Sequence, residues 1–231
     1  MINSSLDKRL LSCADYVRAG AVFADIGTDH GYLPIFLLNT GRIEKAYLSD
    51  VNEGPLASAI VNVADAGLSD HCEFILTDGA AALCGKGITD YAICGMGGVL
   101  ISEIIEAAEH LKDSNVRLIL QPMTRQAHLR RYLYKSGFNI LDERYSTADG
   151  KHYVTILAEF CGNYRDIDSI EAELGKNRIH TDDRAEYLAY LEAKRRSFSK
   201  TVCGKEEGKL DAAEEKSILK AIIDRISDIE A

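Results

Sequence analysis

Carboxylates and glycines set close together supply the chemistry this sequence can do. The run Asp25-Ile26-Gly27-Thr28-Asp29-His30-Gly31 follows a short apolar stretch, Ala21–Ala24, and precedes an apolar, helix-compatible segment from Tyr32 to Leu38. Pro34 falls in the first turn of that segment, where a missing N–H costs little. An acid ending a strand, then glycines in a tight turn, then a helix N-terminus let the backbone approach a nucleotide-like ligand closely. The spacing is not that of a phosphate-binding G-x-G-x-x-G, because Asp29 stands between Gly27 and Gly31. A carboxylate in the mouth of the turn repels a pyrophosphate and suits a ligand carrying positive charge.

Further acids follow the next strand-like runs. Asp50 ends Lys45–Asp50, with Val51 beside it, and Asp78-Gly79 follow Cys72–Thr77. A strand-end acid such as Asp50 is suited to accept both hydroxyls of a ribose, and Asp78-Gly79 to receive an adenine amino group. Strand-end aspartates also cap helices, so the argument lies in their recurrence. S-adenosylmethionine joins a nucleoside to a sulfonium and an amino-acid tail, and is the expected cofactor. The run Gly95-Met96-Gly97-Gly98 belongs where a fourth strand ends, over the reacting centre. Its glycines let the backbone crowd a ligand and Met96 can cover an apolar or aromatic face, a plain tight turn being the alternative. Asp29 faces either the cofactor's methionine end or the substrate, unless it only caps the next helix. His30 beside it is equally suited to bonding backbone.

These residues need a scaffold that brings strand ends together. Tyr91–Cys94 and Val116–Gln121 continue the strand series, with helical segments such as Pro55–Ala66 and Val99–Leu111 between. The alternation predicts an α/β fold with a mostly parallel sheet, whose ligands bind beyond the carboxyl ends of the strands. Phe138–Leu141 and Tyr153–Phe160, joined by a turn at Asp149-Gly150, predict an antiparallel pair closing the sheet. Past Gly162-Asn163 the chain turns charged and helical, over Ile167–Asn177, Arg184–Val202 and Leu210–Ile229. Leu219, Ile222, Ile226 and Ile229 form a coiled-coil seam, and Leu188, Leu191, Phe198 and Val202 its partner stripe. The expected division is residues 1–162 for the sheet domain and 163–231 for a helical hairpin.

Composition narrows the partners. In 231 residues, 46% are apolar and 27% charged, ordinary values for a globular chain, and the formal charge of −9 argues against a wholesale polyanion binder. Local basic faces are still present. Arg125, His128, Arg130, Arg131 and Lys135 follow Pro122, and Lys194, Arg195, Arg196 and Lys200 lie near the C-terminus. Each is either a set of phosphate contacts or a solvated helix face. The 6 cysteines have no C-x-x-C spacing, which predicts reduced, packed thiols and no metal site. No apolar run is long enough to span a membrane and Met1–Ser5 carries no signal-like stretch, so a cytosolic protein is expected. The oligomeric state is not legible; a monomer is the default.

Asp25-Ile-Gly-Thr-Asp-His-Gly-Tyr-Leu-Pro34, Cys94-Gly-Met-Gly-Gly98 and Leu118-Ile-Leu-Gln-Pro122, in this order, resemble the bacterial TrmK family. The likeness runs from Leu6 through Gly150, departing at Gly31, where alanine is commoner, and at Cys94. It implies a Rossmann-like methyltransferase domain followed by a helical, coiled-coil domain, and S-adenosylmethionine-dependent methylation of N1 of adenine 22 in tRNA. It also implies that the loops Asp25–Gly31, Asp50, Asp78-Gly79 and Gly95–Gly98 hold the cofactor. The usual methyltransferase loop has glycine where this chain has Asp29, and aspartate is among the few side chains tolerated in left-handed backbone.

Adenine N1 has its own lone pair, so such a reaction needs alignment and stabilisation of a cationic product rather than a base. Asp29 is the expected stabiliser, and backbone carbonyls of Cys94–Gly97 are alternative acceptors for the adenine amino group. Tyr32 and Gln121 are expected on the substrate side, Tyr32 stacking on an extruded base unless it is a core tyrosine. A methyltransferase with a small-molecule or protein substrate, and a silent cofactor- or RNA-binding protein, are the competing readings.

Overall fold

The computed structural model describes residues 6–175 and 184–231. Its strands are β1 (Ala21–Ile26), β2 (Ile43–Asp50), β3 (Cys72–Leu76), β4 (Asp90–Gly97), β5 (Arg117–Thr124), β6 (Phe138–Ala148) and β7 (Lys151–Phe160). They form one sheet in the order β3-β2-β1-β4-β5-β7-β6. The pairs among β1 to β5 are parallel, and β7 runs antiparallel to both β5 and β6. β1 is buried along nearly its whole length, as a central parallel strand covered on both faces must be. The chain leaves β1 toward β2 and β3, then crosses back to β4 on the other side. The crevice of such a sheet opens where the strand order reverses, beyond the carboxyl ends of β1 and β4.

Five helices flank this part of the chain: α1 (Lys8–Tyr16), α2 (Tyr32–Asn39), α3 (Glu53–Asp65), α4 (Gly98–Glu106) and α5 (Gln126–Lys135). α1 is absent from the sequence reading. Its signal was the Asp7 side chain, which accepts from the Leu10 backbone N–H at 2.8 Å and caps the helix. Arg18, just past α1, grips the fully buried Asp90 with Nε at 2.8 Å and holds the start of β4 against the chain entering β1.

Several boundaries shift for tertiary reasons. β4 runs into the glycine turn and β5 through Pro122, because Met96 pairs with Pro122 and Gly97 with Thr124 across a register irregularity. β6 continues to Ala148, beyond the Phe138–Leu141 expected from sequence, and takes in Asp142, Glu143 and Arg144. Those residues pair with Leu157, Ile156 and Thr155 of β7, and Glu143 is buried. α4 stops at Glu106 and a single 3-10 turn, Glu109–Leu111, follows.

Beyond the sheet come α6 (Ser169–Leu174), α7 (Arg184–Glu207) and α8 (Ala213–Glu230). The expected helix over 167–177 is thus shorter, and Asn177 lies outside the described residues. Ile218, Ile222, Ile226 and Ile229 are the buried stripe of α8, so Ile218 takes the place expected for Leu219. On α7 the buried residues are Tyr187, Tyr190, Leu191 and Val202. Tyr145 of β6 stacks obliquely on Tyr187 and Tyr190, with ring centroids 4.4 and 4.9 Å apart. The C-terminal helices share one apolar core with the sheet's β6 side.

Arg130 corrects the reading of the first basic cluster. It is 1% exposed, and its Nε donates to Glu143 Oε1 at 2.7 Å while Nη1 donates to the Ala172 carbonyl at 2.8 Å. This guanidinium ties α5 to β6 and α6 and is closed to a phosphate. A buried charge persists only when paired in this way.

Candidate active site

The sequence-predicted loops converge on one cavity of about 790 Å³ at the switch point of the sheet. Asp25, Gly27, Asp29, His30, Gly31, Tyr32, Asp50, Val51, Asp78, Gly79, Gly95 and Met96 all line it. Thr28 and Gly97 do not; they build the turns that line it. The Gly27 and Thr28 N–H groups donate to the Ser49 carbonyl at 2.8 and 2.9 Å, which folds the loop after β1 back over the end of β2. Gly27 has φ of +74°, and a Cβ there would lie 2.0 Å from the Met96 methyl. The two glycine-rich turns thus lie against each other, and the left-handed backbone at position 27 favours glycine. Gly31 caps the start of α2, and Asn62 Nδ2 holds the preceding His30 carbonyl at 3.0 Å.

The acids sit in different surroundings. Asp25 is 7% exposed. Burial pushes its carboxyl up to about 6; the Thr28 hydroxyl offsets part of this, and the neighbouring charge of Asp50 adds to it. Asp50 accepts from the Asn52 backbone N–H at 2.8 Å through Oδ1. Asp78 is exposed at the far wall. The Asp29 side chain is 74% exposed and lies 3.5 Å from His30 Nε2, and His30 stacks on Tyr32 with centroids 5.2 Å apart. Tyr32 is half exposed rather than a core residue.

Asp29 does not take the left-handed backbone expected for a glycine substitute. Among the described non-glycine residues, positive φ occurs only at Arg125, Asp149 and Lys209. Its position therefore admits any L residue, and sterics do not explain the carboxylate.

Gln121 is also relocated. It is fully buried, and its Oε1 accepts from Arg9 Nη1 at 2.9 Å and from the Gly95 backbone N–H at 3.1 Å. It supports the turn over the cavity instead of lining it. Arg9, with Leu6, Asp7 and Leu10, adds a wall that the sequence reading missed along with α1; Asn52, Thr77, Leu100 and Ile104 complete the lining. Cys94 Sγ is 3.6 Å from Cys13 Sγ of α1. That contact and burial push the Cys94 thiol up, which keeps it neutral. All 6 cysteines are free.

The basic clusters separate into different environments. Arg125, His128, Arg131 and Lys135 are exposed on α5 and just before it, with Arg131 donating to Ser169 Oγ at 2.9 Å. Arg125 lies against the glycine turn: a Cβ on Gly98 would meet its carbonyl oxygen at 2.5 Å. On α7, Lys194 pairs with Glu173, and Arg195 and Arg196 both pair with Glu192, at 2.9 and 3.8 Å. Among the described residues no group of three or more His, Cys, Asp or Glu is arranged to hold a metal ion, and no helix is long and apolar enough to cross a membrane.

A doubly wound sheet that gathers acids at or just beyond the ends of its first three strands around one cavity has a Rossmann-like methyltransferase architecture. The chain belongs to the methyltransferase-domain family, whose model matches residues 6–156. It is 39% identical over 155 residues to the tRNA (adenine(22)-N(1))-methyltransferase of Bacillus subtilis, a match covering 67% of this chain and 65% of that protein. The chain thus spans just under two thirds of the length of the curated relatives it matches. The solved structure of the B. subtilis tRNA methyltransferase TrmK is 29% identical with a TM-score of 0.75, covering 99% of this chain and 98% of that one. The Streptococcus pneumoniae protein Sp1610 in complex with S-adenosyl-L-methionine is 30% identical with a TM-score of 0.81, covering 96% of this chain and 99% of that one. Within the methyltransferase-domain family, the chain is a member of the TrmK family.

Proposed function

We propose that this chain uses S-adenosylmethionine to methylate N1 of adenine 22 in tRNA. The observation that carries the reading is the convergence of Asp25, Asp50 and Asp78, from three different strand ends, on one cavity of about 790 Å³. Its volume suits a nucleoside-sized ligand, and its acids suit a ligand bearing a sulfonium and an ammonium. The cofactor supplies the electrophilic methyl group.

The chain's residues divide the remaining work. Asp50 binds the ribose, Asp78-Gly79 the adenine amino group, and the turns at Gly27–Gly31 and Gly95–Gly98 hold the methionine end. Asp29, exposed at the rim beside Tyr32, stabilises the positive charge that develops on the methylated base, and Tyr32 offers a face for stacking. N1 lies on the pairing edge of adenine, so the base enters unpaired. Arg125, whose backbone lies against Gly98 of the glycine turn, and Arg131 on the following helix are exposed cations, which favours a polyanionic substrate over a small neutral one. Arg195 and Arg196 on α7 form a second candidate phosphate contact, weakened by Glu192; Lys194, paired with Glu173, contributes least.

Residues 1–162 in this reading carry catalysis, and 163–231 buttress the sheet and extend the RNA-facing surface. A cytosolic location and a monomer accord with it.

Radiolabelled methyl transfer to bulk tRNA, followed by nucleoside analysis, tests the function. The expected product is 1-methyladenosine; a chain that binds cofactor yet labels no tRNA overturns it. Asp50→Ala is expected to weaken cofactor binding about tenfold through lost hydrogen bonds, and unchanged calorimetric affinity would remove Asp50 from the site. Neutralising Arg125 and Arg131 together is expected to weaken tRNA binding and flatten its salt dependence by about one to two contacts, at constant cofactor affinity. An unaltered salt slope would show that α5 presents only a solvated face.

A further inference from the structure

We propose that Cys13 and Cys94 form an oxidation site in the wall of the cavity, a dithiol that a peroxide converts to a disulfide, and that this bond switches the cavity off. The switching half rests on the S-adenosylmethionine reading above. Cys94 lies on β4 directly before the glycine turn and lines the cavity. Cys13 lies on α1 and is fully buried. Their sulfurs are 3.6 Å apart, although the residues are 81 positions apart in the chain. Both are free thiols, and methyl transfer uses neither. A disulfide bond is about 2.05 Å long, so the sulfurs must close by roughly 1.5 Å to bond.

The two thiols are arranged for this chemistry. The Cys94 S–H donates to the Cys13 sulfur, and the Cys13 S–H donates to the Arg9 carbonyl at 3.4 Å. The Thr155 hydroxyl lies 3.7 Å from Cys13 Sγ. Hydrogen peroxide reaches Cys94 through the cavity, whereas Cys13 is closed to solvent. Attack of the Cys94 sulfur on one peroxide oxygen breaks the O–O bond and gives a sulfenic acid and water. The Cys13 sulfur then attacks the Cys94 sulfur. The S–S bond forms, and the hydroxyl leaves with the Cys13 proton as a second water. The dithiol gives up two electrons, and one peroxide is reduced to two waters. The Cys13 contact and burial hold the Cys94 thiol protonated, so the couple answers sustained oxidant rather than a pulse.

Closing the gap draws α1 and β4 together. α1 carries Arg9 and Leu10, with Leu6 and Asp7 just before it, and all four line the cavity. Cys94 is followed by Gly95, which lines it too. The bond therefore acts on two walls at once, and misplacing a reacting group by about 1 Å costs on the order of a hundredfold in rate. The coupling is reciprocal: a disulfide that lowers cofactor affinity is itself disfavoured by bound cofactor.

The test treats the full chain with hydrogen peroxide and maps its cysteines by digestion and mass spectrometry without reduction. The expected result is a Cys13–Cys94 cross-linked peptide, formed at least about tenfold more slowly with saturating S-adenosylmethionine. Calorimetric affinity for S-adenosylmethionine is expected to fall about tenfold or more in the oxidised chain and to return after dithiothreitol. Cys13→Ala lacks the resolving thiol, so its Cys94 is expected to pass on to the sulfinic acid, which dithiothreitol does not reverse. Cys13→Ser replaces it if the alanine variant does not fold. Oxidation confined to the exposed Cys84, Cys161 and Cys203 overturns the couple. A mapped disulfide that leaves cofactor affinity unchanged overturns the switch. A reduced parent that binds no S-adenosylmethionine overturns the cofactor reading, and the peptide map still decides the disulfide.

Discussion

Asp29→Asn is expected to slow methyl transfer by about two to three orders of magnitude, the loss seen when one charge-stabilising group is removed at a reacting centre. The fold should not change, because the backbone at Asp29 is ordinary and the side chain, 74% exposed, packs against nothing that holds the core. In the free protein, solvent screens this carboxylate. Its effect arises when an RNA base covers the cavity and excludes water, so that a charge forming on the base meets a preorganised anion in a low-dielectric site. Substrate binding, which precedes that charge, should change little. Asp29→Gly restores the loop usual in methyltransferases, and should bind cofactor normally and remain slow. Single-turnover rates with saturating tRNA separate the step from product release. A glycine variant as fast as the parent would make Asp29 a loop residue only, and would move stabilisation of the base to the carbonyls of the Cys94–Gly97 turn.

Asp25→Asn is expected to stabilise the ligand-free protein and impair cofactor binding at the same time. The Asp25 carboxyl is raised from 3.8 to about 6, chiefly by burial. Between those two values the folded state holds a proton that the unfolded state has released, so this group's contribution to stability is full below pH ~4 and lost as pH rises through about 6. At pH 7 the penalty is on the order of 2–3 kcal/mol. Asparagine has nearly the same shape and no charge to desolvate, so its melting temperature should exceed the parent's at pH 7, with the two converging near pH 4. Cofactor affinity has the opposite sense. A cationic ligand favours the ionised acid, so the parent should bind more weakly as pH falls through about 6, whereas Asp25→Asn should bind at least about tenfold more weakly at neutral pH with a flatter profile. Melting curves and calorimetry from pH 4 to 8 check both halves. Equal melting temperatures at pH 7 would show that Asp25 carries no strain of burial.

Much of the cavity's lining was legible from local sequence because its parts are strand-end residues. A parallel strand reads as a short apolar run, its end is marked by the change to acid and glycine, and the α/β plan brings such ends together. Asp25, Asp50, Asp78 and the Gly95-Met96 turn therefore group together from sequence alone, with Asp29 among them. What lay beyond was decided by contacts between residues far apart in the chain. Arg130 reads as one cation in a basic run, and only the packing of β6 and α6 buries it against Glu143, 13 residues away. Gln121 reads as a polar strand end, and only α1 supplies the Arg9 that claims its oxygen, 112 residues away. Asp142, Glu143 and Arg144 interrupt the apolar run that marks a strand, yet pair in β6 because β7 satisfies their backbone. Hydrophobic periodicity and turn chemistry act over a few residues and are visible in the chain itself. Desolvation of a charge and the choice of its partner depend on what the folded chain places around it, and were determined only by the tertiary structure.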